Sequence, residues 1–144
     1  MIIKSPIDLE LTQLSGQTSQ PPWKESDGCY SNVVLVNGDP VIFNVKQSGD
    51  FLDFNFNGEI SQNEAISRLN YIFDLDFDLS KFYKYLDNQA ELSEMSQFCN
   101  GLRLFLAPDP FECVISSICS ANNSIKRWTK SISDIKENWG NHYD

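Results

Sequence analysis

Residues 30–57 leave this chain little freedom, because three runs of alternating apolar and polar residues are separated by two tight-turn signals. Residues 30–36 form a β-rich run ending at Asn37-Gly38, a dipeptide suited to positive φ at both central positions of a hairpin turn. Val41, Phe43 and Val45 then alternate with Ile42, Asn44 and Lys46. After Ser48-Gly49-Asp50, Leu52, Phe54 and Phe56 alternate with Asp53, Asn55 and Asn57. A period of two places one set of side chains on each face of a pleated ribbon, a pattern no helix can use. Residues 8–14 are expected to add an earlier strand, since Leu9 and Leu11 alternate with Glu10 and Thr12. Three or four antiparallel strands with one apolar face need a cover.

Helices supply it. Ser61 and Glu64 make a capping-box pattern, and Ala65, Ile66, Leu69, Ile72 and Phe73 fall on one stripe at helical spacing. Residues 79–86 and 90–99 are expected as two shorter helices, separated by Asp87-Asn88. Asp74, Asp76 and Asp78 alternate with Leu75 and Phe77, without the turn glycine of a calcium loop. They are expected to form a solvated linker with two buried anchors.

The last third carries the strongest helix signals. Asp109 can cap, Pro110 suits the first helical position, and Glu112 completes an Asp-x-x-Glu box. Phe111, Val114, Ile115, Ile118 and Cys119 then form an apolar stripe, which predicts a buried helix. Ile125, Trp128, Ile132, Ile135 and Trp139 make a second stripe, which Gly140 is placed to end. Lys126, Arg127 and Lys130 fall off that stripe and should be exposed. The expected architecture is α+β: a small antiparallel sheet domain over residues 1–60, then a helical region over 61–144 with two antiparallel or crossed helices joined at 120–124.

A chain of 144 residues with 41% hydrophobic and 22% charged residues is long and apolar enough for a real core. No run approaches the roughly 20 apolar residues of a membrane helix, and no signal peptide is visible, so an intracellular, soluble protein is expected. Cys29, Cys99, Cys113 and Cys119 lack metal-ligand spacing, and His142 is the only histidine. Reduced core thiols, and no metal or other cofactor, are expected. The net charge of −9 opposes phosphate binding. Its distribution matters more. Residues 1–100 hold six Lys/Arg against fifteen Asp/Glu, whereas residues 101–144 hold five of each. Any face that meets a nucleic acid would therefore have to come from the final third, with further basic surface supplied elsewhere.

Asn122 and Asn123 admit two readings. They can close one helix and open the next, since asparagine tolerates left-handed backbone and accepts capping bonds. They can also present amides to base edges, with Lys126, Arg127 and Lys130 nearby for a base or a phosphate. A cap can fix the corner that is inserted, so the two readings are compatible.

The segments 109–113 and 118–127, with sequences Asp-Pro-Phe-Glu-Cys and Ile-Cys-Ser-Ala-Asn-Asn-Ser-Ile-Lys-Arg, resemble the hallmark of 8-oxoguanine DNA glycosylases. These belong to the helix-hairpin-helix superfamily of base-excision repair enzymes. Leu14-Ser15-Gly16-Gln17-Thr18 resembles a second family segment, and Gly101-Leu102-Arg103 the approach to the hallmark. The chain departs from the pattern where Ser19-Gln20-Pro21-Pro22 precedes Trp23 and where Ser124 replaces a third asparagine.

The resemblance implies a sheet domain similar in fold to TATA-binding protein, followed by the first helices of a catalytic α domain. It implies that Asn122 fills the space left by an extruded nucleotide and that Arg127 contacts the orphaned cytosine. Asn123 and Lys126 would join them at the DNA, and the Gly16 carbonyl would accept the N7 proton of 8-oxoguanine. The lysine nucleophile and its aspartate have no counterpart here and are expected beyond residue 144, so no catalytic residue is expected in this chain. The implied partner is double-stranded DNA carrying oxidised guanine, met by a monomer in the cytoplasm of a prokaryote or the nucleus of a eukaryote. An alkylpurine glycosylase of the 3-methyladenine type and a non-catalytic DNA- or protein-binding domain are the alternatives.

Overall fold

The computed structural model describes residues 1–15 and 20–141. Strands β1 (Ile2–Lys4), β2 (Lys24–Ser26), β3 (Cys29–Val36), β4 (Asp39–Ser48) and β5 (Phe51–Asn57) form one antiparallel sheet. Its order is β1-β5-β4-β3-β2. Helices α1 (Leu9–Leu14), α2 (Gln62–Ile72), α3 (Ser80–Asp87), α4 (Met95–Phe98), α5 (Pro110–Ser120) and α6 (Ile125–Trp139) complete the α+β architecture.

Turn chemistry sets the sheet register. Asn37 and Gly38 take φ of 56° and 95°, which lets Val36 pair directly with Asp39. From there Val34, Val36, Val41, Phe43, Val45, Leu52 and Phe54 all reach the same face and are buried. Ala65, Leu69 and Ile72 of α2 share that core. Beside them Trp23 meets Phe73 edge-on at 5.2 Å, and Phe73 stacks on Phe105 at 5.2 Å.

Four expectations need correction. Residues 8–14 are not a strand. The Asp8 carboxylate accepts from the Leu11 amide at 2.8 Å, and Leu9, Thr12 and Gln13 bury themselves at helical spacing. The sheet has five strands, because the short β1 and β2 pair at its two edges. The helix expected over 90–99 contracts to α4, preceded by turns and lacking a side-chain N-cap. Of the two linker anchors, Leu75 packs on the core while Phe77 is exposed.

The capping box at Ser61 does more than start α2. Glu64 accepts from the Ser61 backbone amide at 3.0 Å and hydroxyl at 2.6 Å, and also from the Asn37 amide at 2.9 Å. The helix start and the hairpin tip are thereby joined. The Ser61 hydroxyl, then the Ser61 amide, hold the Glu64 carboxyl below its ordinary value. A depressed folded pKa means that this contribution is present above the ordinary glutamate pKa and is lost as pH falls through the folded value. An NMR titration should therefore show Glu64 ionising below unperturbed glutamates, and Glu64→Gln should remove that part of the acid dependence of Tm. An ordinary titration midpoint would contradict the tie.

Candidate nucleic-acid interface

The corner between α5 and α6 is built by caps at both ends. The Asp109 carboxylate accepts from the Phe111 and Glu112 amides at 2.8 and 3.1 Å, with Pro110 at the first helical position, so α5 starts where the sequence predicts. At its far end the Asn123 side chain donates to the Cys119 carbonyl at 2.7 Å. Asn122 turns the chain with φ of 56°, a conformation asparagine tolerates better than most residues. Ser124 then caps α6 through the Arg127 amide.

The caps leave Asn122, Asn123, Lys126 and Arg127 exposed at the same corner. Asn123 spends its amide on the cap. Among the described residues, the side chains of Asn122, Lys126 and Arg127 have no hydrogen-bond partner, so an amide and two cations remain for a ligand. Lys130 is different: it binds both carboxylate oxygens of Asp134, at 2.9 and 2.8 Å, and that partner raises its pKa. Gly16 lies outside the described residues.

The expected burial of α5 is wrong. Phe111 is 72% exposed and Ile118 66%, and Ser116 is the single buried residue on the helix. Two helices alone cover only the strip along which they touch. Cys113 and Cys119 are accordingly half-buried free thiols and not core residues. An apolar cleft of about 590 Å³ lies between this helix pair and the outer sheet face, lined in part by Val33, Leu35, Phe111, Ile115, Ile135 and Trp139.

One bond was not visible in the sequence. The Trp128 indole N–H donates to the Ser116 hydroxyl at 3.0 Å, both groups being buried. The available signal is a rule of chemistry: a buried tryptophan needs an acceptor. Ser116 and Trp128 each stand six residues from Asn122, which places them opposite one another in an antiparallel helix pair.

Comparison with known proteins identifies the scaffold that carries this corner. The model for the 8-oxoguanine DNA glycosylase N-terminal domain matches residues 1–114, a span that stops inside α5. A probable N-glycosylase/DNA lyase from Methanothermobacter thermautotrophicus is 47% identical over 133 residues, 92% of this chain and 42% of that protein. MBOgg1, solved in complex with a low-affinity DNA ligand, superposes with a TM-score of 0.79 at 27% identity, covering 99% of this chain and 47% of its own. The 3-methyladenine DNA glycosylase from Archaeoglobus fulgidus also reaches 0.79, at 18% identity over 100% of this chain and 52% of that one. Shape alone therefore does not separate the two branches. The chain spans less than half the length of the Methanothermobacter relative and of MBOgg1. By the match over most of its length, it belongs to the 8-oxoguanine DNA glycosylase family, with residues 1–114 corresponding to that family's N-terminal domain.

Proposed function

We propose that the chain is the N-terminal portion of a DNA glycosylase with strand-cleaving lyase activity, one that excises 8-oxoguanine from double-stranded DNA inside the cell and acts as a monomer. Residues 1–60 form its sheet domain, and residues 61–144 begin its catalytic helical domain. The observation that carries this reading is the exposed corner: an Asn122 amide without a partner among the described residues, at a left-handed turn, with the Lys126 and Arg127 cations beside it. A base must leave the stack before its glycosidic bond can be cut, at a cost of a few kcal/mol. Asn122 offsets part of that cost by occupying the vacated space, and the Arg127 guanidinium donates to the acceptor edge of the orphaned cytosine. Lys126 adds charge toward the phosphates.

Gly16 distinguishes the lesion. Its carbonyl accepts the proton that N7 carries in 8-oxoguanine, whereas the bare N7 of guanine is an acceptor and opposes it. The covalent step belongs to a lysine outside these residues, which attacks the sugar C1′. The 47% identity to a protein named N-glycosylase/DNA lyase favours this branch over the alkylpurine enzymes, whose likeness rests on fold.

In the complete glycosylase, Asn122→Ala and Arg127→Ala should each weaken binding to a lesion-containing duplex by roughly tenfold, the loss of one base-edge contact. Arg127→Ala should leave Tm nearly constant, because that side chain has no internal partner among the described residues, and Asn122→Ala should lower it only by the few degrees that alanine costs at φ of 56°. A large Tm loss with unchanged affinity would make the corner a structural cap only. The 144-residue chain by itself, with a net charge of −9, should bind duplex negligibly at physiological salt. Tight binding in that titration would overturn the division of labour.

A further inference from the structure

We infer that the buried hydrogen bond between Ser116 and Trp128 is a positioning device for the corner, so that two residues behind the tip govern how well Asn122 and Arg127 meet DNA. The inference rests on the function proposed above and adds two residues to it.

The bond matters because it is the buried side-chain hydrogen bond that joins α5 to α6 among the described residues. Ser116 is the single buried residue of α5, while Phe111, Val114 and Ile118 face outward. The other serines nearby turn back on their own helix: Ser117 donates to the Cys113 carbonyl at 2.8 Å and Ser120 to the Ser117 carbonyl at 2.9 Å. Ser116 alone of the three reaches across, and it meets Trp128, one of the two buried residues of α6. Apolar contacts between helices tolerate small slides and rotations, whereas an indole N–H aimed at a hydroxyl fixes direction and register. At the other end of the pair, Glu112 and Lys136 approach at 3.2 Å, but both are solvent-exposed, so that link is weak.

The position of the bond gives it leverage. Ser116 and Trp128 lie about one and a half helical turns behind Asn122 along their respective helices. The caps at Asn123 and Ser124 join the tip firmly to both helix ends. Any rotation of α5 on α6 is therefore carried to the tip and displaces the Asn122 side chain relative to that of Arg127, which belongs to α6. Removing the bond leaves caps and tip chemistry intact and releases only their orientation.

The test is a double-mutant cycle in the complete glycosylase, reading affinity for a lesion-containing duplex well below Tm. Ser116→Ala and Trp128→Phe should each weaken binding by roughly threefold to tenfold, the scale of one hydrogen bond. The double variant should be no worse than the worse single, since both remove one bond. Ser116→Thr keeps the hydroxyl and should restore affinity. A structural role alone would lower Tm and leave affinity unchanged, and that result overturns the inference, as do losses that multiply. Asn122→Ala is measured alongside. If it has no effect, the corner reading fails; if it weakens binding while the Ser116 and Trp128 variants do not, only the positioning inference fails. Should the longer variants not fold, amide exchange in the 144-residue chain decides. Ser116→Ala should speed exchange at residues 121–124 relative to β4, and unchanged exchange would reject the inference.

Discussion

An alanine at position 101 should cost about 3–5 kcal/mol of folding free energy, the sum of a left-handed backbone penalty and an overpacking penalty. Gly101 takes φ of 79°, and a Cβ there would stand 2.4 Å from the Asp8 nitrogen and 2.8 Å from the Ile7 carbonyl carbon. Those atoms are backbone at the start of α1 and cannot swing aside. The approach is functional for the fold: the Asp8 amide donates to the Gly101 carbonyl at 2.8 Å, and the Gly101 amide donates to the Tyr83 hydroxyl at 2.8 Å. Pushing residue 101 away from the start of α1 breaks the first of these bonds. For a domain of this size the loss corresponds to a fall in Tm of roughly 10–15 °C. Gly49→Ala is the matched control, because its φ of 58° is also positive but nothing lies within 4 Å of the added carbon. That variant should lose only about 1–2 kcal/mol, the conformational part. Equal losses at 49 and 101, in urea titrations, would show that the close approach contributes nothing.

What the sequence disclosed, and what it hid, follows the range of the interactions. Asn37-Gly38 announces its hairpin because the turn conformation is decided within two residues, and the alternation on either side of it fixes which face is buried. Asp27-Gly28 carries the same signal, with φ of 53° and 74°, and marks the β2–β3 turn. Its flanking strand is only three residues long, too short for alternation to register. Residues 8–14 failed for a related reason. Over so few positions Leu9 and Leu11 fit a period of two, and only the Asp8 cap distinguishes the helix.

The α5 stripe misled differently: periodicity reports an apolar face, never what covers it. The corner itself was legible, since caps and turn residues act locally, and Asn122 sits at the turn where the sequence expected it. The Ser116–Trp128 bond was not, because it depends on how two helices cross. Whether Gly16 faces the lesion belongs to the proposal, as that residue lies outside the described ones.

Arg103→Met should be about as damaging, at about 3–5 kcal/mol, through electrostatics. The Arg103 side chain is buried, at 5% exposure. Its Nη1 donates to the Asp74 carbonyl at 2.6 Å and the Phe77 carbonyl at 3.1 Å, and its Nε to the Pro6 carbonyl at 3.3 Å. Burial lowers the guanidinium pKa, with the Asp74 charge opposing that shift, yet an arginine stays protonated at any physiological pH. The charge therefore replaces its lost hydration with carbonyl dipoles from two distant segments, the approach to α1 and the acidic turn after α2. This explains why residues 74–78, polar enough to float in solvent, are held down. Methionine fills similar volume but removes the Arg103 donor from the Pro6, Phe77 and Asp74 carbonyls, of which Asp74 keeps the Phe77 amide, and a desolvated carbonyl without a donor costs about 1–3 kcal/mol. Lysine should recover only part of the loss, since a point charge on a flexible stem cannot span three acceptors the way a planar fork can. Hydrogen exchange separates this from general weakening: in Arg103→Met the amides of Leu75 and Phe77, which donate to Asn70 and Asp74, should lose protection before those of β4. Simultaneous loss across the whole sheet would mean that Arg103 serves the global core and not the joint between these segments.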